Sequence, residues 1–400
     1  MSALERLSQK TEARATSFGA RLEQAVLDAW FPVRQPDFGC KASDPAMDAI
    51  VWLLTRSWFA RLAAWLVADL AKKRRSQRRV ERAQKPPVVV IGNLVVGGSG
   101  KTPLVIALAR HLHARGLRIG LICGGYGGKR EGLLEAANYA EPMKAWQAGW
   151  SDEAVLMAMH TEAVIAVAKD RKQAMNMCLK ADPLLDLILS DDGLQHHGLE
   201  RAVEVVLIDA RGLGNRQCIP AGPLREPLSH RPPSDWALLR RPGPMHYCAE
   251  ESPRQGADLE LADIEQLAKC WLEWAEADIM VLGRSDWIAK RHEGMHLSNF
   301  AAQFRDRRLL GIAGISQPAV LARACARFGL DIHWLFPGDH RAVKLEPADL
   351  DPFEAVVMTA KDAVKYPQQR IPVYVLVQTV TAPESLCLDL ERIAHGQPTT

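Results

Sequence analysis

The chain has 400 residues, 48% of them hydrophobic, with a formal net charge of +3 and eight cysteines. Such a chain can bury one large core or two ordinary ones, and its small charge surplus gives no ground for a nucleic-acid partner. No two cysteines form a C-x-x-C pair, so neither a zinc site nor a disulfide framework is signalled and a reducing compartment is the economical reading.

Residues 1–45 read as an N-terminal extension; the first forty are of mixed charge and lack the continuous apolar run of a cleavable signal. Ile50 to Leu70, IVWLLTRSWFARLAAWLVADL, is the first strong element. At ~1.5 Å per residue a helix of this length nearly crosses a bilayer core. Arg56 and Arg61 argue against a clean span, and the polar positions do not gather on one helical face. The following AKKRRSQRRVERAQK carries eight basic side chains and one acid, Glu81. Two readings stay open: a helix packed on a soluble domain with a solvated basic tail, or a helix seated at a membrane. Trp52, Trp58 and Trp65 with the polybasic flank favour the second, since an anionic leaflet attracts Lys and Arg. The flank's charge points to the cytoplasmic side. Residues 46–85 are therefore expected to be membrane-associated.

After Pro86 and Pro87 short apolar runs alternate with helical stretches. Strands are expected at Val88–Ile91, Arg118–Cys123, Ala163–Ala168, Leu184–Leu189, Val203–Ile208 and Trp236–Leu239. Several are apolar throughout, as parallel strands buried on both faces are. The pattern predicts a doubly wound α/β sheet over 86–240. Between 241 and 307 the signal weakens and a connector or insertion is expected. A second, smaller α/β lobe over 308–400 follows, with strands at Leu309–Ala313, Ile332–Phe336, Ala355–Met358 and Val373–Val377 and a helix from Pro318.

Two stretches carry chemistry. In VVVIGNLVVGGSGKTP a buried strand leads through a glycine turn into a helix. The strict phosphate-loop spacing fails, because Val95 stands where the first glycine belongs, yet the arrangement suits phosphate. Gly97, Gly98, Ser99 and Gly100 would turn backbone N–H groups toward oxyanions at a helix N-terminus. Lys101 would neutralise β- and γ-phosphates, Thr102 would ligate Mg²⁺, and Pro103 suits a first helical turn. In LILSDDGLQHH a strand ends in Asp191 and Asp192, candidate Mg²⁺ ligands, although such pairs also serve as helix caps.

With GNRQCIPAGPLREP (Gly214–Pro227), these stretches resemble, in order, the tetraacyldisaccharide 4'-kinases, the lipid A 4'-kinases of Gram-negative bacteria. That family's loop reads GN-x-x-x-GG-[ST]-GKTP, which accounts for Val95. The resemblance implies a phosphate-loop fold. It also implies transfer from ATP, with Mg²⁺, to the 4'-hydroxyl of a tetraacyldisaccharide 1-phosphate at the cytoplasmic face of the inner membrane. The family's Gly-Asp-Glu is similar to Ser151-Asp152-Glu153, making Asp152 the candidate base and Glu153 a further metal candidate. Its Asp-His is similar to Asp339-His340, making His340 the partner of Asp152. Arg225, Tyr126 and Gln195 are candidates for holding the acceptor. Four positions depart from the family: Gly124 replaces the arginine of Arg-Gly-Tyr-Gly and Ser151 a glycine. Arg341 stands where a second histidine is common, and Ala360 replaces the glutamate of Thr-Glu-Lys-Asp. Without the resemblance, Asp152 reads as a helix N-cap and His340 as a turn residue. The rivals are a membrane-surface ATPase or GTPase switch, for which no N-K-x-D guanine reader is found, and an inactive binding member of the family.

Overall fold

The computed structural model describes residues 45–55, 57–76, 86–135, 141–209, 211–228, 231–241, 264, 267–275, 279–290, 294–316 and 318–397, with 25–26 and 29–30 besides. The apolar stretch is two helices, α1 (Pro45–Thr55) and α2 (Trp58–Ser76), rather than one. Ser57 lies at the break; its Oγ accepts from Ala60 N at 3.2 Å, as an N-cap does, and restarts the helix. By length and composition Ile50–Leu70 still qualifies to cross a membrane, and only 20% of it is buried. The side chains of Lys72–Lys85 lie outside the described residues.

The first sheet is built on β1 (Val88–Asn93), followed by α3 (Lys101–Ala114), β2 (Ile119–Cys123), β3 (Gly132–Leu134), α4 (Pro142–Gln147), α5 (Asp152–His160), β4 (Val164–Val167), α6 (Arg171–Ala181), β5 (Leu187–Asp191), β6 (Val203–Ile208), β7 (Ser234–Arg241) and β8 (Ala268–Ala275). Its strand order is β3-β4-β2-β5-β1-β6-β7-β8, and all neighbours are parallel except β3 with β4. Period-2 alternation sends Val89 and Ile91 into one core and Val88 and Val90 into the other, so both faces are buried and the strand reads apolar throughout. On one face α3 contributes Leu104, Leu108 and Leu112. On the other, α6 contributes Ala174 and Cys178, with Ala64, Val67 and Ala68 of α2 packed alongside.

The second sheet comprises β9 (Ile279–Gly283), β10 (Met295–His296), β11 (Leu309–Ile312), β12 (Ile332–Leu335), β13 (Ala355–Thr359) and β14 (Val373–Gln378), ordered β10-β9-β14-β13-β11-β12. Four of its strands are parallel, and β9 joins β14 antiparallel. Residues 241–307 are thus no plain connector: β8 closes the first sheet, and β9 and β10 open the second lobe well before residue 308. The signal was weak because β8 is an edge strand exposing Lys269, Trp271 and Glu273 alternately. The lobes share one apolar core, in which Leu310, Ile312 and Met358 join the α3 stripe, and the C-terminal helix α7 (Glu384–Ala394) adds Leu386 and Leu390.

Candidate active site

Parallel pairing in register sets Ile91 beside Asp191 and Asn93 beside Leu207, so the ends of β1, β5 and β6 open on one edge of the sheet. The glycine loop leaves β1 at that edge. Gly97 (φ 94°) and Gly100 (φ 85°), the N-cap of α3, take left-handed conformations that side chains resist. Asn93 braces the turn, donating from Nδ2 to Gly97 O at 3.2 Å and accepting from Lys101 Nζ at 3.0 Å. Arg211, fixed by Asp209, donates to the carbonyls of Val96 and Gly98 at 3.3 Å each. From the second lobe Ser316 Oγ accepts from Gly98 N at 2.8 Å.

Thr102 Oγ1 donates to Asp191 Oδ2 at 2.8 Å, so the two residues expected at a metal are in contact. Asp191 is buried, and its Oδ1 and the Ser99 hydroxyl lack hydrogen-bond partners. Burial, reinforced by Glu153 and Asp192, pushes the Asp191 carboxyl up to about 6 against the pull of Lys101 and Thr102. An orphaned buried carboxylate oxygen beside a threonine hydroxyl suits a hard cation that takes its other ligands from phosphate and water. The residues present therefore fit Mg²⁺. Asp192 and Glu153 stand differently. Arg225 donates to both Asp192 oxygens at 2.7 and 2.9 Å, and Lys101 lies 3.7 Å away. Burial opposes the Asp192 charge, but these cations outweigh it and hold the carboxyl low. Glu153 accepts from Lys361 at 3.0 Å. Among the described residues no three His, Cys, Asp or Glu gather as a metal cluster.

The lobes meet at Asp152. Ser151 caps α5, its Oγ accepting from Ala154 N, so the residue replacing the family's glycine makes a cap bond worth about 1 kcal/mol. Asp152 Oδ1 lies 2.8 Å from His340 Nδ1, and its Oδ2 lies 3.2 Å from Lys365 Nζ. Burial would raise the Asp152 carboxyl, but the His340 hydrogen bond, Lys361 and Lys365 override it and hold it down at about 2. Burial would likewise lower the His340 imidazole, and the Asp152 bond reverses that into a rise. The Asp152 side chain is 1% exposed against 11% for His340. His340 itself sits at φ 59°. Tyr126 meets its ring edge-on at 5.0 Å, and a Cβ at Gly127 would come within 2.8 Å of it. Gln195 Oε1 accepts from Arg225 at 3.3 Å, placing it with Asp192 rather than with Tyr126.

Sequence reasoning missed Arg171, Lys361, Lys365, Arg211 and Ser316. Arg171, buried on α6, donates to the carbonyls of Ala168 and Asp191 at 3.0 and 3.1 Å. A Cβ at Gly124 would lie 2.6 Å from its Nη1, so Arg171 fills the space beside the position where the family's loop arginine is absent. Only the two lysines left a trace, in the stretch TAKDAVK that resembles Thr-Glu-Lys-Asp. The described cysteines are free; burial pushes Cys123, Cys178, Cys325 and Cys387 up to about 12, which removes them as nucleophiles.

A family model described as tetraacyldisaccharide-1-P 4'-kinase matches residues 52–394. A protein named tetraacyldisaccharide 4'-kinase in Bordetella parapertussis is 36% identical over 335 residues, covering 78% of this chain and 87% of that one. One of the same name in Chromobacterium violaceum is 35% identical over 356 residues, covering 84% and 94%. A solved structure of LpxK from Aquifex aeolicus in complex with ATP has a TM-score of 0.60 at 22% identity. It covers 83% of this chain and 98% of that one, a likeness of fold.

Proposed function

The chain belongs to the tetraacyldisaccharide 4'-kinase family, and from that premise we propose which of its residues carry the reaction. It phosphorylates the 4'-hydroxyl of a tetraacyldisaccharide 1-phosphate, using ATP, to give the bis-phosphorylated lipid A precursor. The observation that carries the assignment of roles is the Asp152–His340 pair, joined at 2.8 Å across the two lobes on the same sheet edge as the glycine loop.

The loop amides from Gly97 to Gly100 and the N-terminus of α3 receive the phosphates, and Lys101, aimed by Asn93, neutralises charge on the transferred group. Thr102 and Asp191 would hold Mg²⁺, with Asp192 and Glu153 as candidates for contact through water, and the ion when bound would neutralise charge on the phosphates. Asp192 also orients Arg225 toward the acceptor side. Asp152 and His340 act as one unit on the sugar hydroxyl. A carboxylate held near 2 is a weak base alone, but it orients the imidazole and stabilises its charged form. Tyr126, packed on His340, and Gln195, bonded to Arg225, border the acceptor.

The protein associates with the membrane that holds its acceptor. Trp52, Leu53, Leu54, Leu62, Trp65, Leu66 and Leu70 are exposed on α1 and α2, an apolar surface that a lipid interface would cover. We assign that interface to the anionic cytoplasmic face of the inner membrane, on the basic residues from Lys72 to Lys85, which span the end of α2 and the chain after it. Incubating the protein with labelled ATP and tetraacyldisaccharide 1-phosphate in mixed micelles tests the whole reading. Label entering lipid is the expected result, and hydrolysis indifferent to lipid would overturn it.

A further inference from the structure

The peptide unit between Gly97 and Gly98 is pinned from two sides. Its carbonyl accepts from Asn93 Nδ2 at 3.2 Å, and its N–H donates to the Ser316 hydroxyl of the second lobe at 2.8 Å. A hydroxyl accepts and donates at once, which a carbonyl or carboxylate cannot do. With its oxygen engaged by Gly98 N, Ser316 keeps its own O–H to give, and among the described residues no protein group accepts it. Ser316 is half-buried and Gly98 exposed, so a ligand on the loop can reach both. The approach depends on the glycine, because a Cβ at position 98 would collide with Ser316 Oγ. The Ser316 loop is also tied to the loop bearing His340. β11 and β12 are parallel neighbours with Ile312 beside Leu335, so the loops leaving them run side by side. Ala313 N donates to Leu335 O at 3.1 Å, and a Cβ at Gly314 would lie 3.0 Å from Gly338 O. Gly314 N donates to Asp362 Oδ2 at 2.8 Å, and Lys365 joins Asp362 Oδ1 at 3.0 Å to Asp152 Oδ2 at 3.2 Å. One lobe thus presents two side chains to the other, His340 to Asp152 and Ser316 to the glycine loop.

We propose that Ser316 is a further catalytic residue, its O–H donating to the γ-phosphate of ATP while its oxygen keeps the Gly98 amide. The inference rests on the kinase reading above. Gly98 stands three positions before Lys101, which serves the transferred group. The γ-phosphoryl is the part of ATP that must lie between the glycine loop and the Asp152–His340 pair, and Ser316 comes from the lobe that carries His340. The Gly98 amide then acts on the nucleotide through this hydroxyl. In the transfer the bond from the γ-phosphorus to ADP breaks, the bond to the sugar oxygen forms, and the sugar proton passes to the Asp152–His340 pair. Ser316 exchanges no proton; it supplies a fixed dipole to oxygens whose charge shifts during the step. Because it reaches the loop from the second lobe, the donor set around the phosphate is complete only where the lobes meet.

The test uses the full chain with Mg²⁺ and compares binding of ADP with that of the β,γ-imido analogue of ATP, which carries a γ-phosphate but is not turned over. Ser316→Ala should weaken the analogue by roughly tenfold and leave ADP unmoved, the worth of one charge-assisted bond in a partly wet site. Its kcat for label transfer to tetraacyldisaccharide 1-phosphate should fall by a similar factor or more. Ser316→Thr, which keeps the hydroxyl, should hold both quantities near wild type. Equal losses for the analogue and ADP, or none for either, would overturn the contact. So would tighter binding of both, which would make Ser316 a plug that competes with phosphate for the Gly98 amide. Ser316→Thr behaving as Ser316→Ala does would overturn it too. Wild type that separates the two nucleotides through Ser316 yet labels no lipid would support the contact and overturn the kinase reading instead.

Discussion

Replacing Asp152 by Asn keeps the shape of the side chain and removes the charge on which the interlobe contact is built. Asp152 titrates at about 2 rather than at its ordinary 3.8, and each unit is worth about 1.4 kcal/mol, so its ionised form contributes roughly 2 kcal/mol. The sign follows from the depression: the contribution is complete above 3.8 and is lost as pH falls through about 2. At pH 7.5 the variant therefore melts a few degrees lower yet stays folded, because Lys365 keeps Asp362 at 3.0 Å. Its kcat for label transfer should fall by roughly 10² to 10⁴, the usual worth of acid–base catalysis, while KM for ATP changes little. His340→Ala should cost a similar factor. The double variant should lose little beyond the worse single, as residues acting as a unit do. The pH profile separates the roles. The Asp152 bond raises the His340 imidazole against the effect of burial, so kcat/KM should climb through an acidic limb lying above 6.5. In Asp152→Asn that limb should move to lower pH. Wild-type turnover in Asp152→Asn, fully multiplicative losses in the double variant, or an unmoved limb would each refute the reasoning.

Lys101→Ala should remove most label transfer and weaken ATP binding in a titration, and Thr102→Ala should chiefly raise the Mg²⁺ concentration needed for half-maximal rate; near-normal turnover in the first would displace the loop from the reaction. Gly128→Ala should lower kcat by tenfold or more with KM for ATP unmoved, since its Cβ would come within 2.7 Å of Ser151 N and 2.9 Å of Gly149 O, backbone atoms that cannot yield without shifting Asp152. Trp52→Ser with Trp65→Ser should cut sedimentation with anionic vesicles several-fold, and unchanged sedimentation would return α1 and α2 to a purely structural role.

The order of elements was legible because it rests on local periodicity. Val203–Ile208 and the helix start at Pro318 fall as expected, and β11 and β13 differ only by their last residue, since strands buried on both faces read as unbroken apolar runs; β1 runs on to Asn93, and β5 lies at Leu187–Asp191 rather than Leu184–Leu189. The glycine loop and Asp191–Asp192 stood out for a related reason: phosphate and its cation demand particular residue types at fixed spacing, whereas Asp152 and His340 were singled out only through the resemblance to the family's motifs. The break at Ser57 was not legible, because apolar composition continues through it and only a single cap bond marks it. Neither was β8, whose one-sided burial mimics a loop. Tertiary structure alone decided that Arg171 fills the space beside Gly124, that Lys365 reaches Asp152 across 213 positions of sequence (365 minus 152), and that Ser316 touches the glycine loop. Such contacts have no spacing to read. They arise when parallel strands carry distant chain segments to one sheet edge, and their energy comes from burying charges that must then be paired wherever the fold supplies a partner.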